Sequence, residues 1–219
     1  MPRDLHAEYV LILTMIGCSL DKFATELRNL QRTEIDEVMA KFNPKAVGSS
    51  AMPHKRNPVG PENISSHGRT LRGYVIPALE NMITWHERDI ANSASERVIL
   101  ADSVILVDYS LARMAKIITN LEVKPFNLQR NMELTGGLIF SQKVMLALTE
   151  KGMPREAAHR YIQKICLAVF ADPAGPTFKE RVYQNSKIKK MLGVERLDVC
   201  FDPQQDLKHI GTIFSRFKL

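Results

Sequence analysis

The sequence has few of the residues that stabilise small secreted domains. Among its 219 residues are three cysteines and one tryptophan, and aromatic residues make up 7%. Cys18, Cys166 and Cys200 are odd in number and widely spaced, with no Cys-x-x-Cys pair, so the pattern indicates neither a disulfide framework nor a zinc or dithiol redox site. We therefore expect reduced thiols in an intracellular protein.

Long apolar runs are also missing. The longest, from Tyr9 to Gly17, covers about half of the roughly 20 residues that a membrane helix needs. The first residues, MPRDLHAEY, contain no apolar signal core. We expect a soluble, cytoplasmic protein that has no membrane partner.

Several sequence motifs of common enzyme classes are absent. The chain has no GxxxxGK[ST] phosphate loop, no GxGxxG, no HExxH and no GxSxG. No compact helix pair with a basic second helix indicates a DNA-binding helix-turn-helix, so a nucleic-acid partner is not expected. No group of residues has the spacing of metal ligands, and we expect neither a metal nor another cofactor.

What is present is the composition of a globular protein that binds anions. Apolar residues make up 45% of the chain and charged residues 25%. Thirty Lys and Arg against 24 Asp and Glu give a net charge of +6. This balance favours nucleotides, dicarboxylates or nucleic acid as partners, without choosing among them.

Apolar residues recur three and four positions apart along most of the chain, which predicts an all-α fold without strands. The predicted helices are 5–39, 61–85 with a kink at Pro77, 98–121, 127–150 with Asn127 as N-cap, and 155–170, followed by short pieces at 178–184 and 206–217. The third of these is apolar on nearly all sides, so we expect it to be central in a bundle.

The segment between the first two helices, Lys41 to Pro61, is rich in Gly, Pro, Asn and Ser and is predicted to be a loop. Loops of this length in compact domains are usually functional or disordered. It contains the string GSSAMPHKRNP from Gly48 to Pro58. Taken alone, its adjacent serines are typical solvated turn residues.

This string resembles the signature of the fumarase/aspartase superfamily, whose members cleave C–N or C–O bonds by β-elimination and release fumarate. Together with RDLHAEY from Arg3, WHERDIANSASER from Trp85 and CFDP from Cys200, it most resembles the bacterial adenylosuccinate lyase family. The resemblance spans the chain. It implies a partial central helical bundle at 1–122, with the signature loop at 42–60, and a small C-terminal helical domain at 123–219.

The resemblance also implies the reaction. Family members split adenylosuccinate into AMP and fumarate, and they cleave the related succinyl-carboxamide ribotide of purine synthesis. Removing a proton beside a carboxylate creates a carbanion, so the site needs a base and fixed donors around the developing charge. By resemblance Ser49 is that base, and Ser50, Lys55, Arg56, Asn57 and Asn63 bind substrate. We expect Lys55 and Asn57 to hold the succinyl carboxylates and His54 to shape the loop.

The second motif carries cationic and hydroxyl groups before a predicted helix start, where a phosphate gains from backbone N–H groups and the helix dipole. The resemblance assigns nucleotide binding to Arg88, Ser93, Ala94, Ser95, Glu96 and Arg97, and a supporting role to His86 and Glu87. By itself, the same stretch is also typical of a capped helix with a salt-linked surface. For Arg3 and His6, substrate binding and a charged first helical turn stay equally open.

The sequence departs from the family pattern in two respects. Family members are roughly twice as long, and their general-acid histidine lies in an N-terminal motif that is absent here. Pro2 stands where relatives carry a substrate-binding Gln. We therefore expect a C-terminal half that is inactive alone.

Family members are homotetramers whose active sites are shared between subunits, and the long apolar helices fit that assembly. Two alternatives stay open at this point. One is a carboxymuconate cycloisomerase-like enzyme, and the other is a non-catalytic helical oligomerisation module.

Overall fold

A computed structural model describes residues 2–41, 52, 54–86 and 88–217. In this part of the chain, regular structure consists of nine α-helices, two short 3-10 turns and one pair of two-residue strands. The all-α fold class is confirmed. The chain divides into two compact units, Met1–Leu128 and Gln129–Leu219.

Three long helices build the first unit: α1 (Asp4–Leu30), α2 (Val59–Glu80) and α3 (Ala91–Thr119). Buried apolar residues form three successive layers between them: Ala7, Val10, Ala78 and Ile99; then Leu13, Leu71 and Val107; then Leu20, Ala24, Ile64 and Met114. Because residue numbers rise together in α1 and α3 and fall in α2, α1 and α3 run parallel and α2 runs antiparallel to both.

The first helix packs very closely against the second. A Cβ atom on Gly17 would lie 2.4 Å from Leu71 Cδ1, and one on Gly68 would lie 3.3 Å from the carbonyl oxygen of Gly17. Thr14 Oγ1 donates a hydrogen bond to the Leu71 carbonyl oxygen at 3.1 Å. Glycine at these crossings lets the two backbones approach.

Much apolar surface on this unit is left uncovered within the chain. The exposed side chains on α1 include Tyr9, Ile12, Met15 and Phe23, and those on α3 include Val104, Ile105, Leu111 and Ile118. The third helix was predicted to be surrounded by neighbours. Among the described residues, α1 and α2 cover one of its sides, and the other side is exposed.

The first helix ends earlier than predicted, at Leu30 rather than near Met39. The backbone N–H of Glu37 donates to the Leu30 carbonyl oxygen at 3.0 Å, which closes a compact turn. Strand β1 (Val38–Met39) then pairs antiparallel with β2 (Glu122–Val123), where no strand was predicted. Pairing with residues more than 80 positions away ends the helix, although the local sequence continues its apolar pattern.

Two other boundaries in this unit differ from prediction. Helix α2 begins at Val59, places Pro61 in its first turn, and ends three residues after Pro77 rather than near Trp85. Helix α3 begins at Ala91, so the polar stretch before Val98 forms its first two turns. Polar residues fit there because these turns carry side-chain contacts to α1 and α2.

The second unit follows α4 (Pro125–Glu133), in which the chain passes from one unit to the other. Its helices are α5 (Ser141–Glu150), α6 (Arg155–Ala171), α7 (Phe178–Gln184), α8 (Ser186–Phe201) and α9 (Ile210–Ser215). Phe178, Val144, Leu148, Ile188 and Leu197 are fully buried at its core.

Sequence reasoning predicted one helix over 127–150, which is wrong. Gly136 and Gly137 have φ angles of 58° and 85°, a left-handed conformation that interrupts a helix. Asn127 lies inside α4 rather than at its N-cap. Helix α8 was not predicted, and its backbone leaves helical geometry at Gly193.

No helix among the described residues has the length and hydropathy to cross a bilayer.

Candidate functional site

The signature string is only partly within the described residues. Ser49 and Ser50, the predicted base and its neighbour, lie outside them, as does Glu87 of the second motif. In the described part, His54, Lys55 and Arg56 are exposed and Asn57 is half-buried. The Lys55 backbone N–H donates to the Met52 carbonyl oxygen at 3.0 Å, which forms a turn directly before α2.

A pocket of about 410 Å³ adjoins this segment. We call it the arginine pocket, and its lining comprises Thr25, Arg28, Asn29, Gln31, Arg32, Arg56, Pro58 and Glu62. Three guanidinium groups against one carboxylate make it positively charged, which suits carboxylate or phosphate groups. Asn63, on the first turn of α2, is exposed and is not among the lining residues.

Two arginines of this pocket were missed by sequence reasoning. Arg28 is in the last turn of α1 and Arg32 lies two residues after its end, and the Arg28 Nη1 group donates to Ser65 Oγ at 3.3 Å. Their spacing, which places them on one side of the chain just before the Gly/Pro-rich loop, was the available signal.

The second motif lies at the start of α3 and divides into two sides. Arg88, Ala94 and Arg97 are exposed, and Ser93 is half-buried. Asp89 Oδ1 accepts a hydrogen bond from the Ala91 backbone N–H at 3.0 Å and so caps the chain before the helix. The exposed side presents two guanidinium groups beside a helix N-terminus, an arrangement that favours anions.

The other side of α3 faces α1 and α2. Ser95 Oγ accepts from Asn81 Nδ2 at 3.1 Å, at the end of α2. Glu96 Oε2 accepts from Arg3 Nη1 at 2.8 Å and from Asn92 Nδ2 at 2.9 Å. Ser95 and Glu96, predicted to bind substrate, therefore have their side chains engaged within the unit.

Arg3 and Glu96 form the centre of a polar cluster at the N-terminal ends of α1 and α3. The Arg3 Nη1 group also lies 3.4 Å from His6 Nε2. Four buried polar atoms of this cluster have no hydrogen-bond partner among the described residues: Arg3 Nε, His6 Nδ1, Asn92 Oδ1 and Glu96 Oε1. Arg3, for which two roles were open, thus contacts the second motif directly, and His6 lies beside Arg3.

The described residues of the signature string and of the second motif lie at opposite ends of the unit. Arg56 and Asn57 directly precede α2, whereas Asn81, directly after α2, contacts the start of α3. Helix α2 has 22 residues, so the two ends are separated by about 33 Å. One copy of the chain therefore does not bring the described signature residues together with Ser93 and Arg97.

Each end therefore presents guanidinium groups that suit an anionic group. Among the residues that the structure describes, no group of three or more His, Cys, Asp or Glu side chains is arranged to hold a metal ion.

Comparison with known proteins gives consistent matches along the chain. The family described as "Lyase" matches residues 1–73, and the family described as "Adenylosuccinate lyase C-terminus" matches residues 137–217. An adenylosuccinate lyase from Synechocystis sp. is 46% identical over 217 residues. The alignment covers 99% of this chain and 50% of that protein, so the chain spans about half the length of its relative.

Solved structures of a lactonizing enzyme and a fumarate lyase match nearly the whole chain. The 3-carboxy-cis,cis-muconate lactonizing enzyme from Pseudomonas putida has a TM-score of 0.84 at 28% identity, covering 98% of this chain and 47% of that one. A fumarate lyase from Mesorhizobium sp. has a TM-score of 0.80 at 26% identity, covering 96% and 46%. The chain belongs to the adenylosuccinate lyase family of the fumarase/aspartase superfamily.

Proposed function

We propose that the protein containing this chain is a lyase that cleaves adenylosuccinate to AMP and fumarate, and the succinyl-carboxamide ribotide to the carboxamide ribotide and fumarate. The observation that carries this proposal is the 46% identity to an adenylosuccinate lyase over 99% of the chain, which includes both motifs. The cationic character of the two candidate regions supports a substrate with several negative charges.

Ser49 is the proposed base that removes the proton beside the succinyl carboxylate. A serine hydroxyl needs its alkoxide stabilised by cations and N–H groups, and Arg56, seven positions after Ser49 in the sequence, lines the arginine pocket together with Arg28 and Arg32. Ser50, Lys55, Arg56, Asn57 and Asn63 are proposed to bind the substrate, with Lys55 and Asn57 on the succinyl carboxylates. No cofactor enters the proposed mechanism.

The nucleotide phosphate is proposed to bind at the start of α3. Ser93 and Arg97 are on the accessible side of this helix, Arg88 is exposed just before it, and Ala94 leaves space beside them. Charge-assisted hydrogen bonds from guanidinium groups and the positive end of a 29-residue helix both favour the phosphate.

We further propose that the active site is shared between copies in a homotetramer. The described signature residues Arg56 and Asn57 lie about 33 Å from the start of α3, which supports a site to which different copies contribute. Exposed apolar residues on α1 and α3 provide surface for the association.

The general acid is proposed to come from the half of the relatives that this chain does not match. Losing one member of an acid–base pair removes about 10²–10⁴-fold in rate. The 219-residue chain alone should therefore release little or no fumarate from adenylosuccinate.

The test is fumarate release by the purified chain, with and without a separately expressed N-terminal half of the Synechocystis relative. Activity should emerge only on complementation and vanish with Ser49→Ala. A 1:1 mixture of Ser49→Ala and Arg97→Ala chains, reassembled with the N-terminal half, should recover about a quarter of the activity, because random mixing leaves some shared sites intact.

Other outcomes would support the two alternatives. Activity that survives the double substitution of Ser93 and Arg97 would indicate a phosphate-free substrate, as a carboxymuconate cycloisomerase would have. No activity despite demonstrated association of the two halves would indicate a non-catalytic module or another substrate.

A further inference from the structure

We propose that Arg3 and Glu96 are positioning residues, which fix the start of α3 so that Ser93 and Arg97 are held in a binding geometry. This inference rests on the proposed function for its consequence in catalysis. The structural part of the inference is that α1 fixes the first turns of α3. It is supported by the contacts of the polar cluster alone.

Burial of the pair is the first argument. The Arg3 and Glu96 side chains are 15% and 12% exposed, and their charged atoms lie 2.8 Å apart. A charge-assisted hydrogen bond that is largely removed from water is shorter and more directional than an exposed ion pair. It therefore holds the two helix ends in one relative placement.

Glu96 contacts two different helices through one oxygen atom. Its Oε2 atom accepts from Arg3, the N-cap residue of α1, and from Asn92 one turn earlier in α3. Asn92 is 3% exposed, so it cannot move without disturbing the packing around it. One carboxylate thus joins the first turn of α3, its second turn and the first helix.

Helix geometry explains how the contacts of Glu96 with Arg3 and Asn92 also fix Ser93 and Arg97. Asn92 and Glu96 are four residues apart and share the inward side of α3. Ser93 and Arg97 each follow one of them, so they are rotated by about 100° toward the accessible side. Fixing the inward pair therefore fixes the direction of the outward pair.

Capping interactions at the start of α3 do not join this helix to α1 as the Arg3–Glu96 contact does. Ile90 at the N-cap makes no side-chain cap hydrogen bond, and the first turn of α3 carries no acidic residue. Asp89 caps the Ala91 N–H from outside the helix, and Asn81 reaches Ser95 from α2. Of these contacts, only those of Glu96 join α3 to α1.

The first experiment measures hydrogen exchange in the 219-residue chain by mass spectrometry. Glu96→Gln and Arg3→Met should each accelerate exchange over 91–98 by about tenfold or more, because the helix start opens more often. The matched control is Asp21→Asn, which breaks the ion pair of Asp21 with Arg72 between α1 and α2. It should leave exchange over 91–98 unchanged.

The second experiment uses the complemented lyase. Glu96→Gln should raise KM for adenylosuccinate by about tenfold with kcat within about threefold, because phosphate contacts stabilise the bound substrate and the transition state alike. Inhibition by AMP should weaken in parallel, whereas inhibition by fumarate should not change. The Arg3→Met/Glu96→Gln double variant should be no worse than the worse single variant.

The results separate the two proposals. Unchanged exchange over 91–98 in both single variants would overturn the positioning role, whether or not the complemented chain is active. Faster exchange with equal weakening of AMP and fumarate inhibition would also overturn it, since a general loss of structure explains that result. Absence of fumarate release by the unsubstituted assembly would reject the proposed function. The exchange result would then still decide whether Arg3 and Glu96 fix the start of α3.

Discussion

Asp36 has a backbone conformation that most residues avoid. Its φ angle is 50°, in the left-handed region, where Asp is tolerated better than most residues with a Cβ. Its Oδ1 lies 2.6 Å from Lys124 Nζ, and its Oδ2 and carbonyl oxygen accept from Asn127 Nδ2 at 3.0 and 2.7 Å. The carboxylate thus ties the turn after α1 to the segment after β2.

Replacing Asp36 by alanine should lower the free energy of unfolding by about 1–3 kcal/mol, because the side-chain contacts are lost and the left-handed strain stays. Asp36→Gly should be less harmful, because it loses the same contacts but relieves the backbone. Urea denaturation of the two variants measures the difference. A glycine variant less stable than the alanine variant would contradict this account.

His67 is a second residue whose surroundings set its properties. Its Nδ1 lies 3.0 Å from Oγ of the buried Ser110, and its ring meets the edge of Tyr109. Burial, and secondarily the positive charge of Arg113, lower the pKa of His67 below its ordinary value of 6.5.

The direction of this shift gives a pH dependence. Because the unfolded chain binds the proton more tightly, the contribution of His67 to stability is present above about pH 6.5 and is lost as pH falls through the folded pKa. Titration of the His67 ring by NMR should give a pKa below 6.5. In His67→Gln, the loss of stability with acidification over this range should be shallower, and an equally steep loss would count against the assignment.

The sequence indicates which residues of the two motifs are candidates for binding, but it does not indicate in which direction their side chains point. Ser95 and Glu96 belong to the same short string as Ser93 and Arg97, yet their side chains contact Asn81 and Arg3. Which side of the helix faces its neighbours depends on where α3 begins, and that start was predicted seven residues too late. Arg3 is 93 positions from Glu96, a distance over which sequence pattern carries no pairing information.

The contact between the first two helices depends on the absence of side-chain atoms at the crossing. Gly17→Ala should lower the free energy of unfolding by about 1–3 kcal/mol, because the added Cβ would overlap the fully buried Leu71. Gly73→Ala on α2 is the matched control. It meets nothing within 4 Å, so better helix propensity should raise stability by about 0.5–1 kcal/mol.

Both variants can be compared by urea denaturation monitored by circular dichroism. Destabilisation by both substitutions would indicate that helix propensity and packing at the crossing are not the deciding factors. Equal stabilisation by both would show that α1 and α2 are not in the close contact described.

At the scale of elements, the sequence predicted helices well and their ends poorly. The periodic apolar stripe of α1 was predicted, because one side of it packs on α2 and α3. Its end at Leu30 was not, because the strand pairing of Val38 with Val123 is a long-range contact. The break at Gly136 and Gly137 did have a local signal, two adjacent glycines, which was outweighed by the apolar pattern on both sides.

For the whole molecule, the separation of the two motifs has a consequence for association. A site that needs both ends of this unit requires more than one copy, and exposed apolar side chains run along the two parallel helices. Exposed rows of large apolar residues on long helices are typical of surfaces that become buried between subunits.

Ile105 provides a direct test, because it is 63% exposed on α3 and makes little contribution to the fold of the single chain. If α3 packs against other copies, Ile105→Glu should reduce the sedimentation-equilibrium mass from that of a tetramer to smaller species, with helical content by circular dichroism unchanged. Leu167→Glu is the matched control on α6 of the second unit, where the side chain is 58% exposed, and it should leave the assembly intact.

The same mass for both variants would show that this surface of α3 does not hold the subunits together. An active complemented assembly that contains only one copy of the chain would contradict the shared site, since Arg56 and Asn57 of one copy lie about 33 Å from the start of α3.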